Sequence, residues 1–222
     1  MINKNSKWII GSLVVIFIII SSAFLTQKFL FDEKSIFLEL KDQKCEIKSY
    51  SKIDLHGCDL RGKEFVNVDL SYANLEGAIL LGTKFIEVDL NHANLKNAHC
   101  GQAVFQKSDL SYANLTFLKC HSVNFSESKF YNTDLSSSNL QDGDFSYVTM
   151  YNSTLEKSYL YKADFSYANL TKSDLRGTHL QSANFTKSDL TSTNFTDATF
   201  SIKELGDAIF DECVGFEKCI KK

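Results

Sequence analysis

The chain has 222 residues and a formal net charge of −3, and 44% of its residues are hydrophobic. This length suits one domain with accessory segments, and the apolar content is sufficient for a packed core. The near-neutral charge argues against a general nucleic-acid-binding protein, whose surface would be basic.

The first predicted element is an uncharged apolar segment, residues 8–25, which follows a short tail at residues 1–7. As an α-helix this segment would be about 27 Å long, close to the thickness of a bilayer core. It fits either an uncleaved transmembrane anchor or a signal peptide with a small-residue cleavage site at Ser21–Ala23. Because the apolar run continues past Ala23, the sequence favours an anchor that binds the membrane through residues 8–25.

The lysines around the apolar segment bear on its orientation. Lys4 and Lys7 precede it, whereas Lys28 and Lys34 follow it closely. The positive-inside rule counts both groups. A short tail before an apolar run usually acts as an export signal, so we expect a single-pass protein whose remaining chain is extracytoplasmic.

A five-residue repeat follows the N-terminal region. Every position divisible by five from Leu55 to Phe200 is Leu, Phe, Cys or Met, the residue two positions earlier is usually small, and the residue between is often Asp or Asn. The stretch DLSYANL, at residues 69–75 and 109–115, is one unit running into the next. A period of five matches neither an α-helix nor a β-strand. The pattern therefore predicts very short strands, with a corner of the backbone in every unit.

A second period indicates how many corners complete a coil. An unbroken series of phenylalanines recurs every twenty residues, which predicts a coil with four sides of five residues each. Coils stack at strand spacing, about 4.8 Å, so these side chains should form one buried ladder. Its members are Phe65, Phe85, Phe105, Phe125, Phe145, Phe165 and Phe185.

The repeats at residues 53–200 resemble those of the pentapeptide-repeat family. The resemblance implies an all-β fold, a right-handed quadrilateral parallel β-helix of about seven coils. The transmembrane helix would precede it. Residues 26–52 would then form a linker and N-terminal cap. Residues 201–222 would form a C-terminal cap, either a helix or one more coil, and this cap could support a dimer.

The sequence offers no candidate catalytic residue, cofactor or metal site. Cys100 and Cys120 have His99 and His121 as neighbours, but adjacent residues of a strand point to opposite sides. We therefore expect the cysteines inside and the histidines outside. The chain also lacks a Gly-rich phosphate loop, and a solidly packed rod has no interior pocket. The prediction is a protein that is not an enzyme.

The six cysteines could form disulfides if the repeats are exported. Cys100 and Cys120 would be stacked in adjacent coils, within bonding range. The other pairs considered are Cys213 with Cys219 and, less favoured, Cys45 with Cys58. The sequence alone leaves the oxidation state of all six open.

Outward-facing tyrosines are the candidate partner-binding residues. Tyr131 and Tyr151 are twenty residues apart, as are Tyr147 and Tyr167, and the two pairs are predicted to border one corner of the coil. Tyrosines on a rigid scaffold supply contact area at low entropic cost. The alternative is that turn positions simply tolerate tyrosine.

The predicted function is a membrane-anchored, non-catalytic scaffold for an unknown protein partner, without direct nucleic-acid binding. A DNA mimic is the first alternative, because family members that bind DNA gyrase present an acidic rod. Here Asp69, Asp89 and Asp109 form an acidic row, but the row ends at Lys129, and an exported protein would not meet gyrase. A purely structural rod in the envelope is the other alternative.

Overall fold

A computed structural model of the chain describes Cys45, residues 51–199 and residues 206–215. These all belong to one compact unit, Glu39–Lys222. The second unit, Met1–Leu38, lies outside the described residues, and so does the predicted membrane segment. Within the described ranges, no helix has the length and apolar character needed to span a bilayer.

The described residues form a right-handed β-helix. Parallel bridges join residues twenty positions apart, from Asp54 with Asn74 at one end to Asn194 with Val214 at the other. One coil therefore takes twenty residues. Two strands are longer than a single bridge, β1 (Glu64–Val66) and β2 (Lys84–Ile86), and they pair in parallel with Phe65 opposite Phe85.

Each coil has four sides, because the chain turns after every fifth residue. We number the sides by their central residues in the first complete coil. Side 1 contains Leu55, side 2 Leu60, side 3 Phe65 and side 4 Leu70. A corner carries the numbers of the two sides that it joins, so corner 4–1 follows side 4. The central residues are buried at every unit through Phe195.

The core contains a continuous column of phenylalanine rings on side 3. Neighbouring rings lie between 4.7 and 5.3 Å apart, centroid to centroid, and each is at most 1% exposed. The column consists of Phe65, Phe85, Phe105, Phe125, Phe145, Phe165 and Phe185. Because the rings of successive coils pack on one another, this column connects the coils through the core.

Where Asp or Asn precedes a central residue, its side chain caps the corner that follows. Its side-chain oxygen accepts a hydrogen bond from the backbone N–H two residues later. Ser111 donates in this way to Asp109 Oδ1 at 3.0 Å, and Ser126 donates to Asn124 Oδ1 at 2.8 Å. The Ser126 hydroxyl donates to the same oxygen at 2.7 Å. These two hydrogen bonds to the same asparagine oxygen explain why Asn-x-Ser/Thr triplets recur along the repeat.

Small hydroxyl side chains beside the core link one coil to the next. The Ser138 hydroxyl donates to the carbonyl oxygen of Leu115 at 2.9 Å and accepts a hydrogen bond from the N–H of Leu118 at 3.0 Å. Ser138 is fully buried. A buried hydroxyl needs such partners, since leaving it unpaired would be costly, and here the backbone of the neighbouring coil supplies them.

The residue two positions after each central residue adopts a positive φ. Gly77 has φ of 65°, and Tyr72 and Tyr112 have values of 58° and 60°. Glycine and asparagine adopt this conformation at little cost, and other residues are strained in it. Both tyrosines are nonetheless 52% exposed, so the turn places large aromatic side chains on the outer surface.

The coil pattern continues at the C-terminal end of the described chain. Ile209 bridges Asp189, and Val214 bridges Asn194. Of the two forms expected for the C-terminal cap, a helix or a further coil, residues 206–215 have the second. The rest of that cap lies outside the described residues.

Disulfides join cysteines at both ends and in the middle of the β-helix. Cys45 is bonded to Cys58, with Cα atoms 5.9 Å apart, and Cys100 to Cys120, with Cα atoms 4.4 Å apart. Cys213 is also disulfide-bonded, and Cys219, its expected partner, lies outside the described residues. These cysteines are therefore oxidised in the structure, whereas the sequence alone did not determine their oxidation state.

Candidate partner-binding site

Two predicted tyrosines lie on corner 3–4. Tyr147 and Tyr167 stack with ring centroids 4.7 Å apart and planes 5° apart, yet they are 57% and 45% exposed. Lys187 lies 5.1 Å from the centre of the Tyr167 ring and donates a hydrogen bond to its hydroxyl at 3.3 Å. The pair is therefore ordered by contacts and still accessible to a partner.

The other two tyrosines lie on corner 4–1, where Tyr131 is exposed and Tyr151 is half-buried. Lys172 donates to the Tyr151 hydroxyl at 2.9 Å, with its Nζ 5.3 Å from the ring centre. The hydrogen bond to Tyr151, with its Coulombic attraction, raises the pKa of Lys172 above the ordinary lysine value. Tyr151 thus already binds one cation of the chain.

The four tyrosines border opposite edges of side 4, and the expectation that they share one corner is wrong. Tyr131 and Tyr151 directly follow central residues of side 4, whereas Tyr147 and Tyr167 come two positions after central residues of side 3. The sixteen residues between Tyr131 and Tyr147 are four fewer than a full coil, which is the distance across side 4 from one corner to the other. Side 4 therefore separates the two pairs.

A third aromatic column, on corner 4–1, was missed by sequence reasoning. Tyr72 stacks on His92 at 4.6 Å, and His92 stacks on Tyr112 at 4.9 Å. Lys52 lies 5.7 Å from the centre of the Tyr72 ring. The signal was present in the twenty-residue spacing of these positions, but histidine interrupts the tyrosine series, so that a search for tyrosine alone does not find it.

A surface groove opens beside this column. Its volume is about 570 Å³, and it is lined by Asn91, Asp109, Ser111, Tyr112, Tyr131, Asn132 and Tyr151. Two of the predicted tyrosines are thus brought together with an acidic side chain and two amides. The groove lies on the outside of the rod, whereas the interior is filled by the central side chains.

The acidic row runs along side 4, between the tyrosine pairs. Asp69 bridges Asp89, Asp89 bridges Asp109, and Asp109 bridges Lys129. Elsewhere an aspartate binds an arginine two residues later, with Asp59 and Arg61 2.6 Å apart. Within the described part of the chain, the ion pairs do not include the aspartates of this row.

The Cys100 and Cys120 region has the arrangement expected of a core disulfide. Both sulfurs are buried, whereas His99 and His121 lie on the outer surface. Among the residues that the structure describes, no group of three or more His, Cys, Asp or Glu side chains could hold a metal ion.

The stacked five-residue units and the filled interior define a β-solenoid, and the tyrosine and histidine columns lie on its outer surface. The chain belongs to the pentapeptide-repeat family, since the family model for pentapeptide repeats matches residues 51–85, 83–116, 119–156 and 158–201. Proteins of this family are generally non-catalytic structural or binding proteins.

Several solved structures are similar to the chain. Trypsin-treated QnrB1, a plasmid-mediated fluoroquinolone resistance protein, is 17% identical over 74% of this chain and 89% of that chain, with a TM-score of 0.49. HetL, a pentapeptide repeat protein involved in heterocyst differentiation regulation in the cyanobacterium Nostoc, is 24% identical over 75% and 88% of the two chains, with a TM-score of 0.28.

A pentapeptide repeat protein from the thylakoid lumen of Arabidopsis thaliana is 24% identical over 63% of this chain and 66% of that chain, with a TM-score of 0.20. No curated protein sequence matches the chain significantly. At these identities the similarity concerns the fold alone.

Proposed function

We propose that the protein is a non-catalytic scaffold that residues 8–25 anchor in a membrane, and that it binds a protein partner through the tyrosines bordering side 4. The observation that carries this proposal is the Tyr147–Tyr167 pair, whose rings are stacked in a fixed geometry while about half of each side chain is exposed. Large aromatic side chains held in this way are typical of the anchor residues of interfaces.

The energetic argument favours the tyrosines over the acidic row. Aromatic side chains that become desolvated at the centre of an interface contribute strongly to affinity, and prior ordering lowers the entropic cost of binding. Exposed carboxylates contribute little individually and are screened by salt. A partner that contacts side 4 should therefore depend more on Tyr147 and Tyr167 than on Asp69 and Asp89.

The disulfides support an extracytoplasmic location for the repeat domain. Disulfides persist in oxidising compartments and are rare in the cytosol, and both Cys45–Cys58 and Cys100–Cys120 are formed. This location disfavours the gyrase-directed DNA mimic, whose target is cytoplasmic. A reporter that is active only outside the cytoplasm, fused to Lys222, should be active, whereas an inactive fusion would reverse the proposed topology.

The partner-binding proposal is tested by co-purification from native membranes after mild crosslinking. Changing Tyr147 and Tyr167 to Ser should leave the fold intact, because both side chains point outward, and should abolish recovery of the partner. Serine is compatible with the positive φ at these positions, as Ser122 and Ser137 show. The same experiment is repeated with Tyr131 and Tyr151.

The matched control changes Tyr159 and Tyr161 to Ser. These side chains are also exposed, at 53% and 39%, but they lie on side 2 and corner 2–3, away from side 4. Recovery of the partner should persist in this control. If the partner is kept by the side 4 variants and is lost instead when Asp69 and Asp89 become Asn, the DNA-mimic alternative is favoured.

A further inference from the structure

The groove on corner 4–1 lies where an aromatic stack stops. One face of the Tyr112 ring is covered by His92. The next residue in the same column is Asn132, whose Oδ1 accepts a hydrogen bond from Asn152 at 2.6 Å. No second ring stacks on Tyr112 within the described ranges, and Tyr112 lines the groove. Tyr112 is 52% exposed, so a planar group that enters the groove can contact its ring.

The chain's own lysines show that the tyrosines of this corner attract cations. Lys52 lies over Tyr72, at the far end of the stack, and Lys172 lies over Tyr151, at the far edge of the groove. Such cation–π contacts draw a positive group to the negative face of an aromatic ring. Tyr112 has the same kind of ring, lies between these two sites and lines the groove.

Asp109 supplies the negative charge within the groove. Its Oδ1 accepts the corner hydrogen bond from the Ser111 N–H, as Asp59 Oδ1 does from the Arg61 N–H, and both carboxylate oxygens still have lone pairs for a ligand. Lys129 is its neighbour in the next coil, but it forms no ion pair with Asp109 within 4.0 Å. An acidic oxygen and an aromatic face thus line the same groove.

Two other corners of the same chain show what binds to an aspartate at this position. Arg61 donates from Nε to Asp59 Oδ1 at 2.9 Å and from Nη2 to Asp59 Oδ2 at 2.6 Å. Arg176 pairs with Asp174 in the same way, with Nε 2.8 Å from Oδ2. In both cases the arginine is two residues after the aspartate. In the groove that position is Ser111, so Asp109 lacks this internal guanidinium.

We infer that the groove binds a guanidinium group, supplied by an arginine side chain of the partner polypeptide, which stacks on Tyr112 and pairs with Asp109. Arginine fits better than lysine because its planar group can stack on an aromatic ring and donate two parallel hydrogen bonds to a carboxylate at once. The assignment of the arginine to a partner rests on the proposed scaffold function. Binding of a free guanidinium compound in the groove does not depend on that function.

The first test uses the full chain, purified in mild detergent, and three short peptides. Acetyl-Gly-Arg-Gly-amide is titrated by ligand-observed NMR, alongside the same peptide with Lys and with citrulline, which is planar but uncharged. We expect saturable binding of the arginine peptide, with affinity about tenfold or more above both others, since only arginine combines the charge with the planar fork. Equal binding of the lysine peptide, or no saturable binding of the arginine peptide, would overturn the inference.

The second test uses matched pairs of variants. Asp109→Asn keeps the corner hydrogen bond and removes the charge, and Asp189→Asn does the same at another position of side 4. Tyr112→Asn removes the stacking ring at a positive φ that asparagine tolerates, and Tyr72→Asn does so at the other end of the stack. The Asp109 and Tyr112 variants should each lose about fivefold or more in affinity, and the two controls should keep it.

Circular dichroism and thermal unfolding of each variant check that it is folded. An unchanged affinity in folded Asp109→Asn, or an equal loss in folded Asp189→Asn, would contradict the site. The scaffold proposal and the groove inference can be refuted independently of each other. If the arginine peptide binds but the tyrosine variants of side 4 still recover the partner, only the proposed function is wrong. If the tyrosine variants lose the partner but the arginine peptide does not bind, only the groove inference is wrong.

Discussion

Phe65 and Phe85 occupy equivalent positions of adjacent coils, and their rings stack with centroids 4.9 Å apart and planes 2° apart. The two residues also pair directly in the β1–β2 ladder. Backbone pairing and side-chain stacking therefore have the same register. The same relationship extends through the column to Phe185, which is why the interior of this rod resembles one continuous stack rather than separate clusters.

The phenylalanine column should dominate the stability of the repeat domain. Phe125 packs on Phe105 at 5.0 Å, on Phe130 at 5.2 Å and on Phe145 at 5.3 Å, and it is fully buried. In a chain lacking residues 1–25, Phe125→Ala should lower the free energy of unfolding by about 3–5 kcal/mol, because it creates a cavity that a rigid coil cannot close. Urea unfolding measures the change.

Phe117→Ala is the control for that substitution. Phe117 is 49% exposed on corner 1–2, so the same change should alter stability by less than about 0.5 kcal/mol. Similar losses in both variants would show that the column is not the principal source of stability.

The Cys100–Cys120 disulfide should stabilise the middle of the rod. It closes a loop with a sequence separation of 20 residues, which restricts the unfolded chain and is worth about 3 kcal/mol. Changing both cysteines to Ala should lower the urea midpoint accordingly. Cys120→Ala alone should have a similar effect, because either change breaks the bond. An unchanged midpoint, or alkylation of these thiols in the untreated native protein, would contradict the disulfide.

The Asp59–Arg61 pair predicts a local pH dependence. The side-chain hydrogen bond from Arg61, followed by its backbone N–H, lowers the pKa of Asp59 below the ordinary aspartate value. A lowered pKa stabilises the fold above the unfolded-state pKa, and this stabilisation is lost as the pH falls through the folded-state pKa. Arg61→Gln should therefore raise the pKa of Asp59 toward its ordinary value, as measured by NMR titration of the carboxyl carbon.

Arg176→Gln is the control, because Arg176 pairs with Asp174 instead. In Arg176→Gln, the pKa of Asp59 should be the same as in the unaltered protein. If Arg61→Gln also leaves it unchanged, the guanidinium is not bound in solution as it is in the structure, and the internal precedent for the groove is lost.

The N-terminal segment should account for membrane association by itself. Deletion of residues 1–25 should move the protein from the membrane pellet to the supernatant, because the central Leu and Phe side chains of the repeats point into the rod. Fractionation with a high-salt wash measures this, and circular dichroism checks that the β-structure is kept. A truncated chain that stays in the washed pellet would show that another part of the protein binds the membrane.

The architecture of the repeat region could be predicted from the sequence because its cause is local. Each five-residue unit contains its own core residue, and most also contain a small neighbour and a corner cap, such as Asn124 bonded to Ser126. The twenty-residue spacing of the phenylalanines adds the coil. Since every contact of this kind joins residues at a constant sequence separation, the repeat in the sequence is sufficient to predict the repeat in the structure.

The outer surface could be predicted only in part, because it depends on which corner each position occupies. Tyr131 and Tyr147 were expected at one corner, but they lie at the two corners that bound side 4. The groove was even harder to predict from the sequence. The groove lies where the Tyr72–His92–Tyr112 stack ends, beside Asp109. No spacing in the sequence marks where such a stack ends.

The sequence by itself determined the β-helix, its coil length and its buried column, because burial of an apolar side chain in every unit leaves the backbone few alternatives. The tertiary structure alone decided which external side chains meet and where a groove forms. Exposed positions are not constrained by the core, so their arrangement follows from how neighbouring coils and corners place them side by side.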